Sequence, residues 1–178
     1  MLNTSEQLIL KAAVDDVNVW LASVMTRPDL KLRLVTQGSV SADFRNFTAG
    51  VGKHRKVKHW DWVQLFHQRV KFRNAWMFAV DGPRRRPGPR AMSWGKVEVV
   101  APGYVSIEYL ERRPFARMGG LTTLIAFRFV QVVGLALGVA EVRVSEPFPQ
   151  LIPYYVAKLG VIRHPATGRV QYLFKTIP

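Results

Sequence analysis

The chain contains no cysteine. Disulfides, thiolate-held zinc and cysteine nucleophiles are thereby excluded, and nothing asks for an oxidising compartment. Acidic side chains are scarce: 12 Asp and Glu stand against 26 Lys and Arg, a formal net charge of +14. Such an excess makes a field that draws polyanions, so the implied partner is anionic, a nucleic acid or an acidic protein. Repeats and low-complexity stretches are absent from the 178 residues, a length that suits one core. The first residues, Met1 to Gln7, lack a basic stretch ahead of an apolar run. That argues against a secretory signal and for a cytoplasmic setting. Long hydrophobic runs are lacking too, with one near exception. Leu121 to Ala140 carries a single charge, Arg128. At a bilayer centre that arginine would cost roughly 2.5–3.5 kcal/mol. Gly134 and Gly138 interrupt the run, so a buried helix is expected rather than a membrane span. The histidines, His54, His59, His67 and His164, show no metal-ligand spacing, and no metal site is expected.

What is present is a regular succession of short apolar segments. Residues 5–25 read as a helix, capped by Asn3 or Thr4 with Glu6 and Gln7 as capping-box partners. Leu30–Val35 alternates as a strand, and Ser41–Ala49 and Trp60–Val70 suit helices. Between the two helices lies a basic stretch, Lys53 to His59, which with Arg84, Arg85 and Arg86 would suit phosphate contacts. Trp60 and Trp62 read as core. Ala75–Val80, Ala91–Val100 and Tyr104–Leu110 are strands, the last two joined through the turn Ala101-Pro102-Gly103. A basic, Gly-containing loop, Arg112 to Gly120, opens into the apolar helix, and Gly138 stops it. Val139–Val144 is a strand and Pro149–Leu159 a helix with Pro153 in its first turn. A hairpin of Val161–Arg163 and Arg169–Thr176 closes the chain. From residue 30 the order is β, α, α, β, β, β, α, β, α, β, β, a mixed sheet with helices on its faces.

Arg117-Met118-Gly119-Gly120-Leu121-Thr122, after the fourth strand, resembles the Gln/Arg-x-x-Gly-x-Gly/Ala signature of the GCN5-related N-acetyltransferase (GNAT) superfamily. Arg117 and Gly120 match; Thr122 stands where the family has a small residue. Tyr154-Tyr155-Val156-Ala157-Lys158-Leu159-Gly160 is similar to the family's Tyr-x-Lys-Leu-Gly ending. The resemblance implies an α/β (α+β) acyl-CoA N-acyltransferase-like fold over 29–178, a mixed central sheet flanked by helices. Residues 1–28 would be an added N-terminal helix, a surface through which a homo-oligomer or larger assembly could form.

The resemblance further implies acetyl-CoA as cofactor and transfer of an acyl group to an amine on a peptide, protein or RNA-linked acceptor. Its diphosphate would rest on Arg117, Met118, Gly119, Gly120, Leu121 and Thr122. Helix-start amides point outward with the positive end of the dipole, which gives that expectation a physical basis. Amides near Leu110, Glu111 and Arg112 would polarise the thioester carbonyl. In the family a tyrosine at the position of Val156 protonates the leaving thiolate; here the nearest is Tyr155, one residue earlier, and packing under the sheet is an equal reading of it. A base would be a carboxylate, with Glu108, Glu111 and Glu146 as candidates. Alternation puts Glu108 and Glu111 on opposite faces, so one at most faces the site. The alternative is a catalytically degenerate GNAT-fold protein that binds or assembles, a phage virion component for example. It would need no cofactor, and its setting would be the inside of a virion.

Overall fold

A computed structural model describes residues 3–48, 61–67, 74–82, 88–113, 118 and 120–178. The elements are α1 (Thr4–Ser23), β1 (Lys31–Leu34), α2 (Val40–Thr48), α3 (Trp62–Leu65), β2 (Ala75–Asp81), β3 (Pro89–Glu98), β4 (Tyr104–Arg112), α4 (Leu121–Leu137), β5 (Glu141–Ser145), α5 (Ile152–Leu159), β6 (Ile162–His164) and β7 (Tyr172–Thr176). The order is the one the sequence predicts. The strands form one mixed sheet, β1-β2-β3-β4-β5-β7-β6, in which only β4 and β5 run parallel. The acyl-CoA N-acyltransferase-like architecture expected from the motifs is therefore present.

Local chemistry sets several boundaries. Asn3 accepts from the Glu6 amide at 2.8 Å and Glu6 answers to the Asn3 amide at 2.7 Å, a complete capping box at the start of α1. Gly138 and Gly160 end α4 and α5 with φ of 65° and 63°, a region costly for other residues. Pro153 sits in the first turn of α5, where a missing N–H costs nothing.

Helices α1, α4 and α5 cover one face of the sheet, and α2 and α3 the other. Helix α4 is apolar on almost every side because it lies between the sheet and α1. Phe129 of α4 meets Trp76 and Phe78 edge-on at 5.0 and 5.3 Å, ring to ring. Its one charge, Arg128, reaches out to Asp16 of α1 at 2.9 Å. Among the described residues no helix is long and apolar enough to cross a membrane. The N-terminal helix shares this core: Leu10, Ala13, Val14, Val17 and Leu21 pack into it. Of the predicted aromatic core, Trp62 is fully buried on the opposite face; Trp60, the stretch Lys53–His59 and Arg84–Arg86 lie outside the described residues.

One irregularity interrupts the ladder between β3 and β4. Trp94 pairs with Tyr109 and Gly95 with Ile107, leaving Glu108 as an extra residue in β4, a β-bulge. Gly95 makes the bulge possible. A Cβ there would collide with the carbonyl oxygen of Ser106 and with the ring of Trp76. Gly95→Ala is therefore expected to lose about 3 kcal/mol and to melt about 6–12 °C lower; an unchanged thermal denaturation curve would contradict this account of the bulge.

Candidate active site

Strands β4 and β5 are paired over four residues only, Tyr104 to Ile107 against Glu141 to Val144. Beyond that, β4 continues to Arg112, while β5 ends at Ser145 and the chain turns away at Glu146, whose φ is 42°. The far half of β4 keeps β3 on one side and, among the described residues, has no strand paired to it on the other. The orientation of its peptides is set by two bonds. The Tyr109 carbonyl accepts from Ser93 Oγ of β3 at 2.8 Å, and the Arg113 amide donates to the Arg90 carbonyl at 2.7 Å. A trans peptide sets a carbonyl and the next N–H on opposite sides. The amides of Leu110 and Arg112 therefore point away from β3, and that of Glu111 toward it. Of the three residues expected to offer amides, Leu110 and Arg112 thus differ from Glu111 in the side of β4 to which their N–H points.

Helix α4 begins at Leu121. Gly120 is its N-cap, with φ 69° and no side-chain bond to the first turn. The Leu121 amide bonds back to the Met118 carbonyl at 2.6 Å. Thr122 stands in the first turn of α4. Its side chain is buried and its hydroxyl faces the Met118 sulfur at 4.0 Å. Arg117 and Gly119 lie outside the described residues.

The bulge corrects the expectation for the carboxylates. Because Glu108 is the extra residue, Ser106, Glu108, Tyr109 and Glu111 share one face, and strict alternation fails there. Glu111 is buried and accepts from Trp62 Nε1 at 2.9 Å, tying α3 to β4. Glu108 accepts from Ser106 Oγ at 2.6 Å and Ser145 Oγ at 2.9 Å, with Lys96 Nζ at 3.5 Å. This cluster sits where β4 and β5 part. Ser106, Ser145 and Lys96 carried no signal in the sequence, because the bulge brings them together.

The two tyrosines separate as a helix requires. Tyr155 packs into the core with Ile152 and Leu159, and burial pushes its phenol above the ordinary value of 10.0, with a smaller contribution from Tyr154. Tyr154 faces α4 instead, and its hydroxyl donates to the Gly120 carbonyl at 3.3 Å. A Cβ on Gly120 would collide with that hydroxyl. Val156 is exposed. Tyr155, expected as the proton donor, is thus a core residue, and Tyr154 is the phenol brought to the helix start. Glu146 follows β5 as an exposed residue. Among the described residues no cluster of possible metal ligands occurs.

No protein-family model matches this sequence, and no curated protein does. Solved structures do match. A mutant AtaT toxin, bound to the C-terminus of the antitoxin AtaR and acetyl-CoA, aligns with a TM-score of 0.55 at 15% identity, over 83% of this chain and 93% of that one. The spermidine N-acetyltransferase SpeG from Vibrio cholerae aligns with a TM-score of 0.56 at 9% identity, over 84% and 95%. The ribosomal-protein-S5-alanine acetyltransferase from Vibrio fischeri aligns with a TM-score of 0.59 at 11% identity, over 83% and 91%. At these identities the likeness is one of fold: the chain has the GNAT fold.

The raised Tyr155 phenol carries a sign. A group whose folded value exceeds its unfolded one contributes stability that is present below about pH 10 and lost as pH rises further. Denaturant midpoints should fall more steeply above that pH in the natural protein than in Tyr155→Phe; parallel pH profiles would contradict the buried placement.

Proposed function

We propose that the protein is an N-acyltransferase that uses acetyl-CoA and acylates an amine. The observation that carries this reading is the parting of β4 from β5 beside an uncapped helix start. A strand edge whose Leu110 amide points away from β3 is followed in the chain by a helix start whose N-cap is a glycine. The first suits an extended acyl-bearing arm, and the second a diphosphate. Two features support this reading: Gly120 carries no side chain of its own, and Thr122 is buried; the Tyr154 hydroxyl, which lies over Gly120, would have to move aside for a diphosphate. The arm would be held by the Leu110 amide, and the diphosphate by the turn Gly120–Thr122 together with Met118, Arg117 and Gly119. Acetyl-CoA supplies an acetyl group already activated as a thioester.

The remaining chemistry belongs to the chain. The Leu110 amide donates toward the carbonyl oxygen of the thioester, where charge develops during acyl transfer. Glu108, at the apex, takes a proton from the acceptor amine. Tyr154, over the helix start, is the phenol placed to return a proton to a leaving group. The net charge of +14 favours an acceptor carried on an anionic molecule, an acidic peptide or an RNA-linked amine.

Acetyl-CoA at a hundredfold excess over its Kd should stabilise the protein by about 2.7 kcal/mol, a rise in melting temperature of about 5–10 °C. Gly120→Asp, shown to be folded by circular dichroism, should give no rise. An unshifted natural protein would overturn the reading and leave the fold without the chemistry. Glu108→Gln should keep the rise and lose about a hundredfold or more in acetyl transfer; full activity would remove Glu108 from the mechanism.

A further inference from the structure

The register of β4 and β5 fixes which residues meet at the apex. Ile107 opposite Val144 is the last backbone-paired position. The next rung would set Glu108 against Ser145. There the bulge has displaced the backbone, and a side-chain bond replaces the ladder: Ser145 Oγ donates to Glu108 Oε1 at 2.9 Å. The same oxygen accepts from Ser106 Oγ at 2.6 Å. The other oxygen faces Lys96 Nζ at 3.5 Å. The carboxylate is thus met by a donor on each oxygen, and its side chain is only 15% exposed. The two serines differ in one respect. Ser106 is fully buried, whereas Ser145, the last residue of β5, is half-buried where the pairing ends.

Resting on the N-acyltransferase reading, we propose that Ser145 is a catalytic proton relay between the acceptor amine and Glu108, with Ser106 and Lys96 as positioning residues. A serine hydroxyl has one proton and two lone pairs. With its proton committed to Glu108, the Ser145 oxygen turns lone pairs outward, toward a group that must donate. A protonated alkylamine is such a group. The N–H bond of the ammonium breaks as a new Oγ–H bond forms, and the original Oγ–H proton passes to Glu108 Oε1. Ser145 ends as a hydroxyl, Glu108 as a neutral acid and the acceptor as a neutral amine. The proton on Glu108 later leaves to solvent, so the site is reset without any further reactant. Ser106 cannot serve in this way, since its hydroxyl has no exposed surface. Its bond and the nearby lysine fix the carboxylate so that Oε1 stays on the serine.

The relay matters only for an acceptor that arrives protonated. Alkylamines do at neutral pH, whereas hydroxylamine is uncharged there and needs no prior deprotonation. Release of the CoA thiol from acetyl-CoA is measured with n-butylamine and with hydroxylamine, using the full chain. In Ser145→Ala the n-butylamine rate should drop about a hundredfold while the hydroxylamine rate stays within about twofold. Ser145→Thr, which restores a hydroxyl on a β-strand-compatible side chain, should recover the n-butylamine rate. Equal loss with both acceptors, or no loss with either, overturns the relay and leaves the N-acyltransferase reading standing. A natural protein that releases no thiol with either amine also overturns the relay. If acetyl-CoA then leaves its melting temperature unchanged, the broader reading falls with it.

Discussion

One extra residue in β4 is the constraint on which the candidate site depends. A regular strand would keep pairing with β5 to its end and would close the sheet. The bulge at Glu108 bends and twists β4 just past its last parallel pair. From there the two strands are no longer paired. The bulge itself depends on Gly95, since β3 must pass beneath Trp76 and against the Ser106 carbonyl with no side chain.

The surrounding structure holds that irregularity still. On one face, Trp76, Phe78 and Phe129 interlock under α4. On the other, buried Glu111 binds the indole of Trp62. The Arg143 guanidinium lies between the rings of Tyr104 and Tyr172 at 3.9 and 4.5 Å, and His164 stacks on Tyr172 at 4.6 Å. This row crosses β4, β5, β7 and β6 and fixes the paired half of the two strands. Burial lowers the Arg143 value, but the Glu141 hydrogen bond and charge outweigh it and leave the value raised. Tyr172 is contacted by both Arg143 and His164, so the row stiffens this part of the sheet.

The order of elements was legible because caps, glycine stops and apolar periodicity are local signals. Asn3 with Glu6, Gly138 and Gly160 each do locally what their residue types imply. The glycine that opens α4 was legible for the same reason. Two features were not. Alternation placed Glu108 and Glu111 on opposite faces, and only the three-dimensional register shows the bulge that unites them. The rotation of α5 decides which tyrosine faces α4, and packing of Ile152, Tyr155 and Leu159 into the core settles it in favour of Tyr154. The N-terminal helix read as an addition because its motif lies outside the family resemblance, yet Leu10, Val17 and Leu21 complete the cover over α4.

The central claim is that the parted segment of β4 and the start of α4 form one cofactor-binding surface. Amide proton–nitrogen NMR spectra recorded during titration with CoA test it most directly. The account requires the Leu110, Arg112 and Thr122 amides to shift together along a single saturating curve, with α1 and β6 left unmoved. Shifts confined to other parts of the sheet, or none at saturating CoA, would contradict it.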